Sequence, residues 1–157
     1  MQHPLTQITT EYLMTLHCPL EPPQAANSDL QIFNVRPGGW ARGPAIRGEV
    51  IPPSGDWLRV MPGGTRKLDV RISIRSDDGA IIFMTYVGRS RATADVVQRL
   101  EAGETLGPDQ LHFLIAPTFE TAAPAHAWLN DVVAIGKIVS LNRSANRHVT
   151  YDIFAAR

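Results

Sequence analysis

The sequence contains one cysteine, Cys18, and has no excess of charge of either sign. A single cysteine cannot form a disulfide within the chain, so we expect a reducing compartment, the cytoplasm. Fifteen basic and fifteen acidic residues cancel, which argues against nucleic acid or an anionic membrane as a partner. No apolar run approaches the ~18 residues of a membrane span, and the N-terminus lacks the charged and apolar regions of a signal peptide.

Sequence motifs for common cofactors and metals are missing as well. The five histidines show neither HxH nor HExxH spacing, so we expect no metal site. The chain has no Gly-x-Gly-x-x-Gly, no P-loop and no Gly-x-Ser-x-Gly, which argues against nucleotide binding and serine-hydrolase chemistry of those types. We therefore expect neither a metal nor a cofactor.

A long hairpin stands in the middle of the chain. From Lys67 to Arg75 apolar and polar residues alternate, which is typical of a strand with one apolar and one polar face. Ser76-Asp77-Asp78-Gly79 predicts a tight turn, because Asp-Gly suits the positive φ of such turns. Residues 80–87 then predict a second, antiparallel strand.

The rest of the chain predicts more strands and one helix. Further strands are expected at residues 11–18, 30–35, 46–50, 56–60, 111–116, 127–141 and 148–155, with a turn at Pro52-Pro53-Ser54-Gly55. We expect a close backbone approach or a bulge at Gly48, inside a strand. A helix is predicted near residues 93–102, with Thr93 as its N-cap and Gly103 after its end.

Chain length and strand content bound the fold. The chain has 157 residues, 44% of them hydrophobic, which suffices for a single domain with its own core. About eight to ten antiparallel strands with one helix imply a sandwich or a barrel. In a sandwich the polar face of residues 67–75 meets water, whereas in a small barrel it can line an interior site.

Six short motifs, in order, resemble the domain-of-unknown-function family 3237, also called uncharacterised protein family 0311, over roughly residues 6–155. The motifs are Gly43-Pro44-x-Ile46-x-Gly48-x-Val50, Gly55-Asp56-Trp57, Leu68-Asp69-x-Arg71, Asp77-Asp78-Gly79, Pro117-x-Phe119-Glu120-Thr121 and Trp128-Leu129-Asn130. The resemblance implies a compact antiparallel β-barrel, whose biochemical role is largely unassigned. His126 departs from the family pattern, where an aromatic residue is expected, and so puts the shape of the pocket wall in question.

Candidate site residues follow from the hairpin and the later motifs. Asp69 and Arg71 share one strand face, so a barrel that turns this face inward would hold an acid or base beside an anion-binding guanidinium. The alternatives are a structural ion pair or a pair facing solvent. Glu120 is either a second candidate acid or base or a loop anchor that accepts from backbone N–H groups, and Asn130 could donate to an oxyanion or tie a turn. The candidate pocket walls are the aromatic residues Trp57, Tyr86 and Trp128. Tyr86 shares its strand face with Ile82 and Met84, which favours a place in the core just as well.

Two classes of function fit these residues. One is a cofactor-free acid/base enzyme, of isomerase, cyclase or hydratase/dehydratase type, acting on a small planar or oxygenated molecule inside the barrel. The alternative is a non-catalytic binding protein, or a structural barrel with a filled interior. We also expect a homo-oligomer, most simply a dimer, since barrels of this size often bury an apolar strand face by pairing.

Overall fold

The computed structural model describes residues 7–157, so the predictions that concern the first residues, including His3 and the absence of a signal peptide, lie largely outside it. The fold is a closed barrel of eight antiparallel strands. Of the two architectures that the sequence predicted, a sandwich and a barrel, the barrel is confirmed. Residues 7–157 form ten strands: β1 Thr10–Pro19, β2 Gln24–Ala25, β3 Leu30–Asn34, β4 Trp40–Arg42, β5 Arg47–Val60, β6 Arg66–Ser76, β7 Ile81–Arg91, β8 His112–Glu120, β9 Ala134–Asn142 and β10 His148–Ala156.

The ring runs in the order β4-β1-β10-β9-β8-β7-β6-β5, and closes because β5 pairs with both β4 and β6. The strands β2 and β3 extend the wall beside the second half of β5. The predicted central hairpin is confirmed: β6 and β7 pair in register over their whole length, and Gly79 in the turn has φ of 88°.

The predicted turn at residues 52–55 is wrong, because β5 passes through it as one strand with a register shift against β6. Side chains replace the ladder hydrogen bonds that Pro52 and Pro53 cannot donate. The Ser54 hydroxyl donates to the Ile51 carbonyl and accepts from the Ser73 N–H, and the Ser73 hydroxyl donates to the Pro53 carbonyl. The irregular strand therefore stays attached to the sheet.

In the described part of the chain, two helices accompany the barrel. The predicted helix is confirmed as α1, Ala94–Glu101, with the Thr93 hydroxyl accepting from the Val96 N–H and with φ of 92° at Gly103. The strand predicted for residues 127–141 is wrong in its first part, where a 3-10 helix spans Pro124–Asp131 before β9 begins. Proline suits the first helical turn. Among the described residues no helix is long and apolar enough to cross a bilayer.

Inward-facing side chains alternate regularly with outward-facing ones along β7 and β8. The apolar face of β6, with Leu68, Val70, Ile72 and Ile74, is buried in the barrel. One end of the barrel is packed solid by buried side chains that include Ile74, Ile82, Met84 and Phe119. The other end is hollow.

Candidate functional site

A cavity of about 420 Å³ occupies the hollow end of the barrel. Its wall is mainly apolar, from residues such as Leu58, Val70 and Phe113. Residues of α1 and of the turn between β9 and β10 border the same space. The volume falls within the range of small-molecule sites in proteins, about 300–1,000 Å³. The interior is therefore not filled by the protein's own side chains.

Asp56 is the acidic group inside this cavity. It lies on the same face of β5 as Leu58 and Val60, which also line the space. Its Oδ1 accepts a hydrogen bond from the Asp69 N–H at 3.1 Å. At this point the pairing between β5 and β6 is interrupted, because Trp57 and Leu58 have no paired residue on β6. The carboxylate thus takes the place of a strand carbonyl, and its position is fixed by the backbone.

Burial raises the pKa of Asp56 from 3.8 to about 7. The hydrogen bond from the Asp69 N–H and the charge of Arg66 oppose this rise, while the nearby charge of Asp69 adds to it. Desolvation prevails because most of the carboxyl group's surroundings are apolar. A carboxyl group with a pKa near neutrality can both accept and donate a proton at physiological pH.

Two tyrosines share the cavity with Asp56. The rings of Tyr86 and Tyr151 meet edge to face with centroids 5.8 Å apart, and Phe113 packs on Tyr151 in the same way at 5.5 Å. Burial raises the pKa of both phenols well above 10, so both stay neutral. The charge of Asp56 contributes to both shifts, as expected for groups within one cavity.

The Tyr151 hydroxyl is fully buried and makes no well-formed hydrogen bond among the described residues, although the Tyr86 hydroxyl lies close enough to affect its pKa. The buried hydroxyl of Ser90, which also lines the cavity, likewise has no hydrogen-bond partner among the described residues. A buried polar group without a partner costs about 1–3 kcal/mol, and a ligand oxygen in the cavity would satisfy it. Cys18 lines the cavity too, but burial raises its pKa to about 12, so its thiol is not a ready nucleophile.

Three arginines border the mouth of the cavity. Arg66 begins β6, and Arg143 and Arg147 lie in the turn between β9 and β10. All three are partly buried. Glu101, at the end of α1, is the other charged residue at this mouth.

A family model matches residues 8–156 of the chain and is described as a protein of unknown function, DUF3237. The chain belongs to the DUF3237 family. Among curated relatives, a UPF0311 protein of Rhodopseudomonas palustris is 30% identical over 71% of each chain. A UPF0311 protein of Bradyrhizobium diazoefficiens is 26% identical over 90% of this chain and 93% of its own.

Solved structures show the same fold. A protein of unknown function from R. palustris has a TM-score of 0.85 at 23% identity, over 98% of this chain and 100% of its own. A β-barrel-like protein from Acinetobacter baumannii has a TM-score of 0.77 at 26% identity, over 99% and 100%. An enzyme from Penicillium herquei has a TM-score of 0.66 at 20% identity over the full length of both chains.

The DUF3237 barrel turns Asp69 and Arg71 outward. Arg71 Nη1 donates to Asp69 Oδ1 at 3.2 Å, and each of the two side chains is about half exposed. The prediction that this pair lines the interior is wrong, because the apolar face of β6 takes the inner position. Of the two alternatives to the interior site, the structure shows the solvent-facing pair.

The other predicted residues are divided between the cavity and the surface. Tyr86 lines the cavity, whereas Trp57 lies outside, 39% exposed, with the Arg71 guanidinium 5.2 Å from its ring centre. Trp128, on the 3-10 helix, is 40% exposed. Glu120 is exposed at the end of β8. The structure therefore does not bring the predicted set together.

Asn130 ties a turn, which was one of its two expected roles. Its amide donates to the carbonyls of Thr121 and Ala127, and its Oδ1 accepts from the Thr121 N–H. His126, the departure from the family pattern, contacts Asp78 with 2.8 Å between Nε2 and Oδ2, away from the cavity. Within residues 7–157 no group of three or more His, Cys, Asp or Glu side chains is placed to hold a metal ion.

Strand alternation contained a signal for the residues that were missed. Asp56 lies two residues before Leu58 and four before Val60. Because side chains alternate between the two faces of a strand, the Asp56 carboxylate lies on the same apolar face as these two residues. Tyr151 stands in the same way between Val149 and Ile153. A polar side chain on the apolar face of a barrel strand points inward, and this criterion selects Asp56 where the Asp69–Arg71 spacing misleads.

Proposed function

We propose that this DUF3237 protein is an acid/base enzyme that acts on a small planar or oxygenated organic molecule inside the barrel. The observation that carries the proposal is Asp56, a carboxyl group held in a mainly apolar cavity with its pKa raised to about 7. Perturbed carboxyl groups in cavities are characteristic of general acids and bases. Asp56 takes the role that the sequence suggested for Asp69 or Glu120.

The cavity supplies the other parts of such a mechanism. Asp56 removes a proton from the substrate and returns it at a second position, as isomerisation, cyclisation and hydration or dehydration require. The neutral Tyr151 phenol, which makes no well-formed hydrogen bond among the described residues, donates to the substrate oxygen on which negative charge develops. Tyr86 and Phe113 offer flat apolar surface to a planar ring. The Penicillium herquei enzyme supports the view that this fold can accommodate catalysis.

Solvent deuterium exchange on a panel of small molecules tests the proposal. Small aromatic ketones, phenols and α,β-unsaturated carbonyl compounds are first screened for a rise in melting temperature. Those that bind are incubated with the protein in D₂O, and deuterium incorporation is followed by NMR. We expect the parent protein to catalyse deuterium exchange and Asp56→Asn to abolish it. Asp69→Asn, the same change on the outer face, should leave the exchange unchanged.

Two outcomes contradict the enzyme. If a compound binds to both the parent and Asp56→Asn but neither protein catalyses deuterium exchange, the non-catalytic binding protein is favoured instead. If no compound in these classes binds, the proposal of an interior site for such molecules is wrong.

A further inference from the structure

The charged groups at the mouth of the cavity indicate the class of its ligand. Among the residues that the structure describes, five charged side chains line the cavity and its mouth: three arginines, Arg66, Arg143 and Arg147, and two acids, Asp56 and Glu101. The arginines outnumber the carboxylates three to two even when Asp56 is ionised, and three to one when Asp56 is protonated, well below its pKa of about 7. This is a local excess of positive charge on a chain that has no net charge.

None of the three guanidinium groups is paired within residues 7–157. The ion pairs and side-chain hydrogen bonds of arginine in this range belong to residues such as Arg71, Arg75, Arg99 and Arg157. Asp56 and Glu101 act favourably on Arg66 and Arg143 without forming ion pairs with them, but the burial of Arg66 and Arg143 and the repulsion of Arg143 by Arg66 and Arg147 remain unfavourable. Burial, then the charge of Arg66, lowers the pKa of Arg143 to about 10, so it remains protonated at neutral pH.

The turn that carries two of these arginines is held in place. Asn142 Nδ2 donates to the Gly103 carbonyl at 3.1 Å and to the Thr105 hydroxyl at 3.0 Å, and Asn142 Oδ1 accepts from the Ser144 N–H. The Arg147 carbonyl accepts from the Leu20 N–H at 2.9 Å. The mouth is thus arranged before any ligand arrives, which lowers the entropy cost of binding.

We propose that the cavity binds an organic anion, with its carboxylate or phosphate held at the mouth by Arg66, Arg143 and Arg147 and its apolar body in the barrel. The inference rests on the proposed function, since both use the same cavity. Carboxylate and phosphate share the geometry that guanidinium groups bind with two parallel hydrogen bonds. An anion fixed at the mouth places the apolar part of the molecule beside Asp56 and Tyr151.

A matched set of naphthalene derivatives tests this by calorimetry: 2-naphthoate, 2-naphthyl phosphate and the neutral 2-naphthamide. The three share one planar body and differ in the charged group. We expect at least one anion to bind roughly tenfold or more tightly than the amide, since hydrogen bonds to charged groups are worth about 1.5–3 kcal/mol. The anion that binds more tightly identifies carboxylate or phosphate as the natural head group.

Arginine variants locate the binding group. Arg143→Met and Arg147→Met keep the apolar stem and remove the charge, and each should weaken the preferred anion by roughly tenfold while leaving the amide unchanged. Arg59→Met removes a charge from the exposed face of β5 and should change neither. Neither mouth variant loses a described side-chain hydrogen bond, so both should fold, which far-UV circular dichroism checks.

The outcomes separate this inference from the proposed function. If the amide binds as tightly as both anions, or the mouth variants bind the anions like the parent, the anion site is wrong and interior binding stands. If none of the three probes binds, both the anion site and the interior site for planar molecules are wrong.

Discussion

The raised pKa of Asp56 makes the stability of this protein depend on pH in a defined direction. Because the folded-state pKa, about 7, lies above the unfolded value of 3.8, the protonated carboxyl group stabilises the folded state. That stabilisation is fully present below about pH 4 and is lost as the pH rises through about 7. Asp56→Asn removes the titration while keeping an oxygen that accepts the Asp69 N–H.

The magnitude follows from the shift. A change from 3.8 to about 7 corresponds to about 4 kcal/mol at one site. Asp56 is partly exposed, and water entering the mouth reduces the penalty, so we expect about 2–4 kcal/mol. The difference in free energy of unfolding between Asp56→Asn and the parent should therefore grow by this amount in favour of the variant as the pH rises from 4 to 8. The corresponding gain in melting temperature is roughly 4–16 °C for a domain of this size.

Urea denaturation of parent and variant at intervals between pH 4 and pH 8 measures the effect. The difference between the two proteins cancels the other titrating groups, which both share. Asp109→Asn, the same change at an exposed loop position, serves as the control for the loss of one carboxylate. If Asp56→Asn behaves like this control, Asp56 ionises in the ordinary range, and the reasoning that makes it the acid/base group fails.

Four further predictions concern other parts of the molecule. Arg71→Met should change the free energy of unfolding by less than about 1 kcal/mol at any pH, because the pair with Asp69 is half exposed; a large loss in thermal denaturation would contradict the outward placement. Gly48→Ala should cost about 1–3 kcal/mol in the same assay, because its Cβ would overlap the Arg75 carbonyl oxygen; a neutral result would mean that β5 and β6 are less closely paired. Tyr151→Phe should leave the ligand-free protein as stable as the parent or up to about 1–3 kcal/mol more stable, since its hydroxyl makes no well-formed hydrogen bond among the described residues, whereas a marked loss would reveal a hydrogen bond with the neighbouring Tyr86 hydroxyl. The dimer stays a prediction, which exposed apolar residues on the outer face of β7, β8 and β9 favour; sedimentation at micromolar concentration showing only the 17.3 kDa monomer would refute it.

Local patterns in the sequence determined the strands, the helix and the class of fold. The alternation of residues 67–75, the Asp-Gly turn and the Thr93 cap each depend on neighbours a few residues apart, and all three are present in the structure. Gly48 was expected to mark a close backbone approach, and it does. Where local patterns failed, at residues 52–55 and 124–131, hydrogen bonds from Ser54, Ser73 and Asn130 decided the conformation.

The site depended on information that spacing along one strand does not contain. Alternation shows that Asp69 and Arg71 share a face, but the direction of that face is set by barrel closure, which buries the apolar residues of β6. The cavity unites Asp56 of β5 with Tyr151 of β10 and the mouth arginines, far apart in sequence. Desolvation of Asp56 likewise requires the whole surrounding wall. The sequence by itself determined which residues could face inward together on each strand, and only the tertiary structure decided which faces enclose the cavity, because burial is a property of the closed barrel.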